Sequence, residues 1–305
     1  MKINLEKDII LPAWETIKND SKAKKMYFFP GLLSIIFLTA LLVYQSIYTY
    51  VVIFHQKEKA LELVLKFFHS EYLVEILISA WIFLIFYILL IPIFEWAWIK
   101  FIETKDKEKH SSASEALSVW LYKFFPLFKY NNLFSEFKFL SIINWYLFII
   151  RFFNWEHIKV ISYSFIVIFF FSIIINILFA YTQYIIVLEN KDVFQSLSKS
   201  IKISLLNIRI TTRLYFSMFF LNLRVILNFI VFLSFPILIT LTIWLITTKL
   251  YLTIAITILS ILFFVFIVIS WYLTWVLELL KTSIWYYAYK HWSKKLKDLD
   301  EKENE

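Results

Sequence analysis

Long runs without a charged residue constrain this chain more than any other feature. Val160–Leu188, Val225–Thr248 and Leu250–Leu277 contain no Asp, Glu, Lys or Arg. A bilayer core about 30 Å thick needs roughly 20 consecutive apolar residues, which each run supplies. Within lipid the backbone has no water to bond, so only helices or closed barrels cross. A barrel would show short segments of alternating polarity instead. The expected class is therefore all-α: a polytopic membrane helix bundle. Composition agrees, with 61% hydrophobic and 18% charged residues. Soluble domains average about 45–50% and about 25%.

Hydropathy places six spans at about 27–54, 73–98, 133–155, 158–188, 215–247 and 250–277. They form a single integral membrane domain over 1–297, followed by a polar tail at 298–305 that extends the last span as a helix before fraying. The third span is the short one. Only Phe139–Ile150 is free of charge, so Lys138 and Arg151 must snorkel to the two interfaces. An interfacial segment is the alternative.

Charge decides between the two. With six spans and the N-terminus inside, 25 of the 31 Lys and Arg residues fall on the inner side. Without the third span the later loops change sides and the split becomes 16 against 15. The positive-inside rule selects six spans with both termini cytoplasmic, which in a bacterium means the inner membrane. The net charge of +8 is thereby accounted for without nucleic acid. Trp96, Trp98, Trp155, Trp244, Trp271 and Trp275 fall near span ends, as an aromatic belt would.

Three inner segments precede the three outward spans, and each reads as an amphipathic surface helix: about 5–25, 114–130 and 192–206. Their expected apolar faces are Ile9, Ile10, Trp14 and Ile17; then Trp120, Leu121, Phe124, Phe125 and Phe128; then Phe194, Leu197, Ile201 and Leu205. Lys199, Ser200 and Lys202 lie off the last stripe. Aromatic apolar faces mixed with lysine suit the headgroup layer of an anionic leaflet, making anionic inner-leaflet lipids the expected partner, with a membrane protein as a further one. The order of surface helix, span out and span back, repeated, suggests a threefold internal repeat.

The stretch Tyr184-Ile-Ile-Val-Leu-Glu-Asn-Lys-Asp-Val-Phe-Gln-Ser-Leu-Ser-Lys-Ser200 resembles a motif of a broad family of six-span bacterial membrane proteins. There a span ends in a Val–Leu–Glu-type turn, and an amphipathic helix with a final Ser leads into a long span. The family includes the membrane domain attached to some glycerophosphodiester phosphodiesterases. The local likeness covers Tyr181–Tyr215, and the span layout covers most of the chain. This sequence lacks the glycines usual around that helix and carries no phosphodiesterase domain. The resemblance implies an architecture and no hydrolysis.

Intramembrane polar residues are the candidate site. Arg224 lies near the midplane if the fifth span starts near Thr212, sharing a face with Ser217 and Asn228. It anchors the inner interface if the span starts at Val225. Asn176 and Gln183 share a face of the fourth span with Ser172; such a face lines a polar path or makes interhelical hydrogen bonds. Glu95 and Glu278 sit near inner ends, beside Trp residues and within reach of Lys100 and Lys281.

One glycine and no cysteine exclude a phosphate loop, a dinucleotide fingerprint, a disulfide and a thiolate metal site. His55, His69, His110, His157 and His291 show no ligand spacing. No catalytic, cofactor or metal site is expected. Three functions stay open: a non-catalytic bundle organising lipids or partner proteins at the inner leaflet, a small transporter using the fourth to sixth spans, and a lipid-acting membrane enzyme or subunit.

Overall fold

The computed structural model describes residues 4–18, 57–107, 113–153, 157–222 and 248–304, with isolated residues between 28 and 40 and between 234 and 246. No strand occurs among them. A π-helical turn, Glu6–Ile10, runs into α1 (Leu11–Lys18). There follow α2 (Lys57–Phe68), α3 (Leu73–Asp106), α4 (Ala113–Phe134) and, after a 3-10 turn at Ser135–Phe137, α5 (Phe139–Phe153). The chain continues with α6 (Ile158–Leu178), α7 (Thr182–Glu189), α8 (Val193–Leu206), α9 (Ile208–Asn222) and α10 (Lys249–Asn304).

Leu73–Asp106, Ile158–Glu189 and Lys249–Leu299 are each long and apolar enough to cross a membrane, the signature of a membrane protein. Their apolar portions are largely exposed in the absence of lipid, as Ile78, Ile85, Val167, Phe170, Ile261 and Phe264 illustrate. Pro92 sits inside α3 without ending it. α5 has 15 residues, about 22 Å of helix at 1.5 Å per residue, shorter than the bilayer core. The segment expected at 27–54 lies mostly outside the described residues, as do residues 223–233 of the one expected at 215–247.

The chain divides into two compact units. The first comprises Met1–Asp20, Glu95–Met218 and Leu280–Glu305. Its core gathers Ile9, Ala13 and Ile17 of the N-terminal helix with Trp96, Trp98, Phe101 and Ile102 of α3. Tyr181, Tyr184 and Ile185 near the start of α7, and Ile284, Ala288 and Trp292 of α10, complete it. Specific polar contacts fix the packing. Trp98 Nε1 donates to Ser283 Oγ at 3.1 Å, Tyr184 OH donates to the Thr282 carbonyl at 3.2 Å, and Thr16 Oγ1 meets Tyr287 OH at 2.8 Å.

Trp96 and Trp98 are therefore core residues, and the belt expected of them is corrected: their rings are sealed within protein. The N-terminal face is corrected as well. Ile9, Ala13, Thr16 and Ile17 are buried at helical spacing, whereas Trp14 is exposed. Trp14 lies about 140° around the helix from Ile9 at 100° per residue, so it cannot share that face.

The second unit comprises Ser21–Phe94 and Phe219–Leu279. Rings dominate its contacts: Phe37 stacks on Tyr87 at 4.1 Å, Phe235 on Phe263 at 4.0 Å, and Phe28 lies 4.5 Å from Trp271. Gly31 permits a close approach, since a Cβ there would stand 3.0 Å from Trp275 Cβ and 3.3 Å from Trp271 Nε1. An open hollow of about 340 Å³ is lined by Leu33, Ser79, Ile82, Phe83 and Phe86, with no titratable group. In α2, Glu62 and Lys66 pair at 2.7 Å one turn apart.

Candidate functional site

The most built polar region of the first unit is where α6 breaks. A continuous helix would bond Tyr181 N to the Ile177 carbonyl. Here Tyr181 N donates to Ser200 Oγ at 3.2 Å, and Ser204 Oγ donates to the Ile177 carbonyl at 3.0 Å. Ser200 Oγ and Ser204 Oγ also reach the Leu178 carbonyl, at 2.9 and 3.1 Å. The Phe179 carbonyl accepts from Thr182 N at 3.1 Å and from Tyr130 OH at 3.3 Å. The Tyr181 amide and the Ile177, Leu178 and Phe179 carbonyls thus each have a named partner, as burial requires. The arrangement also consumes the carbonyl oxygens that an ion site in a broken span would use.

Both serines come from α8, whose register follows from the turn before it. Asn190 ends α7 in the left-handed region at φ 62°, a position that favours glycine and next asparagine. α8 then buries Val193, Ser196, Ser200, Ile203 and Ser204 against the protein. The expected stripe points elsewhere: Phe194 is 63% and Leu205 59% exposed, with Leu197 and Ile201 part-exposed. The face packed on protein is the small hydroxyl face, because Ser at i, i+4 and i+8 lets a helix approach a broken backbone closely, and the last two of the three donate to it. That spacing was visible in the sequence as Ser196, Ser200 and Ser204.

Charges gather beside this hairpin. Glu189 accepts from Lys199 Nζ at 2.6 Å on both oxygens, from Tyr289 OH and from Ser293 Oγ at 3.4 Å, with Lys191 Nζ at 3.4 Å. Glu103 pairs with Lys100 and Lys107, each at 2.6 Å. Asp106 accepts from Lys290, and from Tyr286 OH at 3.3 Å. Burial pushes the Glu189 and Glu103 carboxyls up, but lysine pairing, joined at Glu189 by the Tyr289 hydroxyl, outweighs it and holds both below their ordinary value. Burial and the adjacent Glu189 push the Tyr289 phenol far up, so it stays a donor. Glu189 and Asp106 join different helices, whereas Glu103 pairs within its own; carboxylates held ionised by such donors are poor proton acceptors near neutral pH.

Among the sequence-derived candidates, Glu95 and Gln183 come together, with Gln183 Nε2 donating to Glu95 Oε1 at 3.2 Å. Asn176 Nδ2 donates to the Phe137 carbonyl at 2.7 Å, where Ser172 Oγ also donates. Both are spent on the 3-10 turn that leads into α5. Ser217 Oγ donates to its own Arg213 carbonyl at 2.9 Å. Glu278 lies within electrostatic reach of Tyr87. Arg224 and Asn228 lie outside the described residues. No group of three His, Cys, Asp or Glu side chains that could hold a metal ion occurs among the described residues. No family model matches the chain, and neither does any curated protein or solved structure.

Proposed function

We propose that this chain is a non-catalytic, six-span protein of the bacterial inner membrane that organises lipids, or a partner protein, at the cytoplasmic leaflet. In this reading both termini are cytoplasmic, α5 crosses with its flanking residues snorkelling, and the three surface helices form a repeat. It shares the architecture of the six-span family that its 184–200 motif resembles. The observation that carries the reading is the two-sidedness of α8. Its serine face is held by protein, whereas Phe194 and Leu205 are largely exposed, Phe194 with Lys129 Nζ 4.9 Å from its ring centre, and Lys202 stands exposed beside them. An apolar stripe flanked by cations suits a helix lying at the headgroup–acyl boundary. Transport gains no comparable support, since Ser172 and Asn176 are occupied by the Phe137 carbonyl.

The chain contains no cysteine, so single spin labels report cleanly. A label at Phe194→Cys in reconstituted vesicles is expected to be relaxed by oxygen dissolved in lipid and shielded from a water-soluble nickel chelate. A Phe194 label that meets the chelate as freely as one at exposed Glu301 would overturn the reading.

A further inference from the structure

The α8–α9 junction carries cations of a different kind from those of the carboxylate network. Lys100, Lys107, Lys191, Lys199 and Lys290 each face a carboxylate. Arg209 and Arg213 are exposed and face no carboxylate among the described residues; the same holds for Lys202. The two arginines are four residues apart on α9, so their side chains rise from one face with Cβ atoms about 6 Å apart. Phe216, three residues on, lies within about 60° of both around the helix axis and is exposed. Thr211, Leu214 and Met218 occupy the opposite, buried face. Leu205 and Ile208, also exposed, flank the pair at the turn.

Along one helix face the surface therefore passes from two unpaired guanidiniums to an exposed aromatic ring within about two turns. A soluble anion has no use for the ring, and a hydrocarbon chain has none for the guanidiniums. A phospholipid uses both, with its phosphate in the forked donors and its chains against Phe216 and Leu205. The absence of a carboxylate on this face among the described residues favours a lipid of net negative charge over a zwitterionic one. We propose that the α8–α9 junction is a binding site for one anionic phospholipid, with Arg209 and Arg213 gripping its phosphate and Lys202 supplying further positive potential. This rests on the membrane reading given above and adds to it a site and a ligand class.

The test uses the full chain in vesicles of phosphatidylethanolamine, with and without phosphatidylglycerol, followed by extraction and native mass spectrometry of retained lipid. Wild-type protein is expected to retain phosphatidylglycerol in preference to phosphatidylethanolamine. Arg209→Gln with Arg213→Gln should reduce that retention about 25-fold, from roughly fivefold per basic residue near an anionic surface. Lys159→Gln with Lys249→Gln, both on the outer side in the proposed orientation, should leave it within about twofold of wild type, in keeping with screening of distant charges. Arg209→Lys with Arg213→Lys keeps charge and fold but loses the fork, and should fall between. The site is refuted if the glutamine pair retains lipid as wild type does, if the two lysine-to-glutamine changes lower retention equally, or if the lysine pair behaves as wild type. A wild-type chain that fails to insert into either vesicle would instead refute the membrane reading itself.

Discussion

Trp81 and Trp98 belong to the same helix, α3, but to different compact units, and stand in opposite circumstances. Trp81 is 64% exposed and surrounded along α3 by exposed Ile, Leu and Phe; Trp98 is 0% exposed, its indole N–H given to Ser283. The first stretch has the chemistry of a surface meant for lipid. The second has the chemistry of a soluble core, with aromatic packing, side-chain hydrogen bonds and carboxylates paired with lysines nearby. Hydropathy joins the two into one helix. Their difference lies in what each side chain touches, so the protein is stabilised by two unlike means within one element.

That contrast breaks most sharply by truncating both rings. In detergent, Trp98→Ala should cost about 3–5 kcal/mol in thermal or chemical unfolding, while Trp81→Ala stays within about 0.5 kcal/mol. Similar losses for both would erase the distinction. A smaller effect tests the charged side of the core. Glu189→Gln leaves Lys199 without its ionic partner and weakens the Tyr289 bond, an expected loss of about 2 kcal/mol. Because the Glu189 and Glu103 carboxyls are held below their ordinary value of about 4.3, their contribution is complete above that value. It drains away as pH falls through the depressed folded value. Melting temperature should therefore be flat from neutral pH to about pH 5 and fall in more acid solution, less steeply in Glu189→Gln. Gly31→Ala carries the smallest change, about 1 kcal/mol, as its Cβ meets Trp275 Cβ. An unaltered melting temperature would mean that the second unit's ring contacts yield easily, unlike the core around Trp98.

Element type and extent were largely legible from periodicity and run length. Residues 192–206 were expected as a helix and Val193–Leu206 is one; the last span was expected to continue as a helix into the tail, and α10 does so to Asn304. Faces were less legible. In water an apolar stripe points inward, but beside a membrane it has two apolar destinations, and spacing alone does not choose between lipid and protein. Hence Phe194 and Leu205 stand outside while three serines are inside. Trp96 and Trp98 gave the same ambiguity, since a tryptophan near a span end suits an interface as well as a core. The Glu189 network was hidden for another reason. Its Tyr289 and Ser293 partners lie about 100 residues away along the chain, a distance that carries no local signal. Of the flagged intramembrane residues, Glu95 and Gln183 meet because their helices pack, while Asn176 turns to a backbone carbonyl that no sequence pattern reveals.

The serine-held break has a consequence for biosynthesis. Residues 177–181 leave the ribosome before Ser200 and Ser204, the groups that satisfy their carbonyls and amide. In the proposed orientation this stretch enters the bilayer first, where an open carbonyl costs several kcal/mol. The nascent segment is thus driven to remain an unbroken helix until α8 emerges and exchanges the Ile177–Tyr181 backbone bond for hydroxyl contacts. The break is then a late event of maturation, timed by the arrival of α8, which in the same proposal lies at the membrane surface.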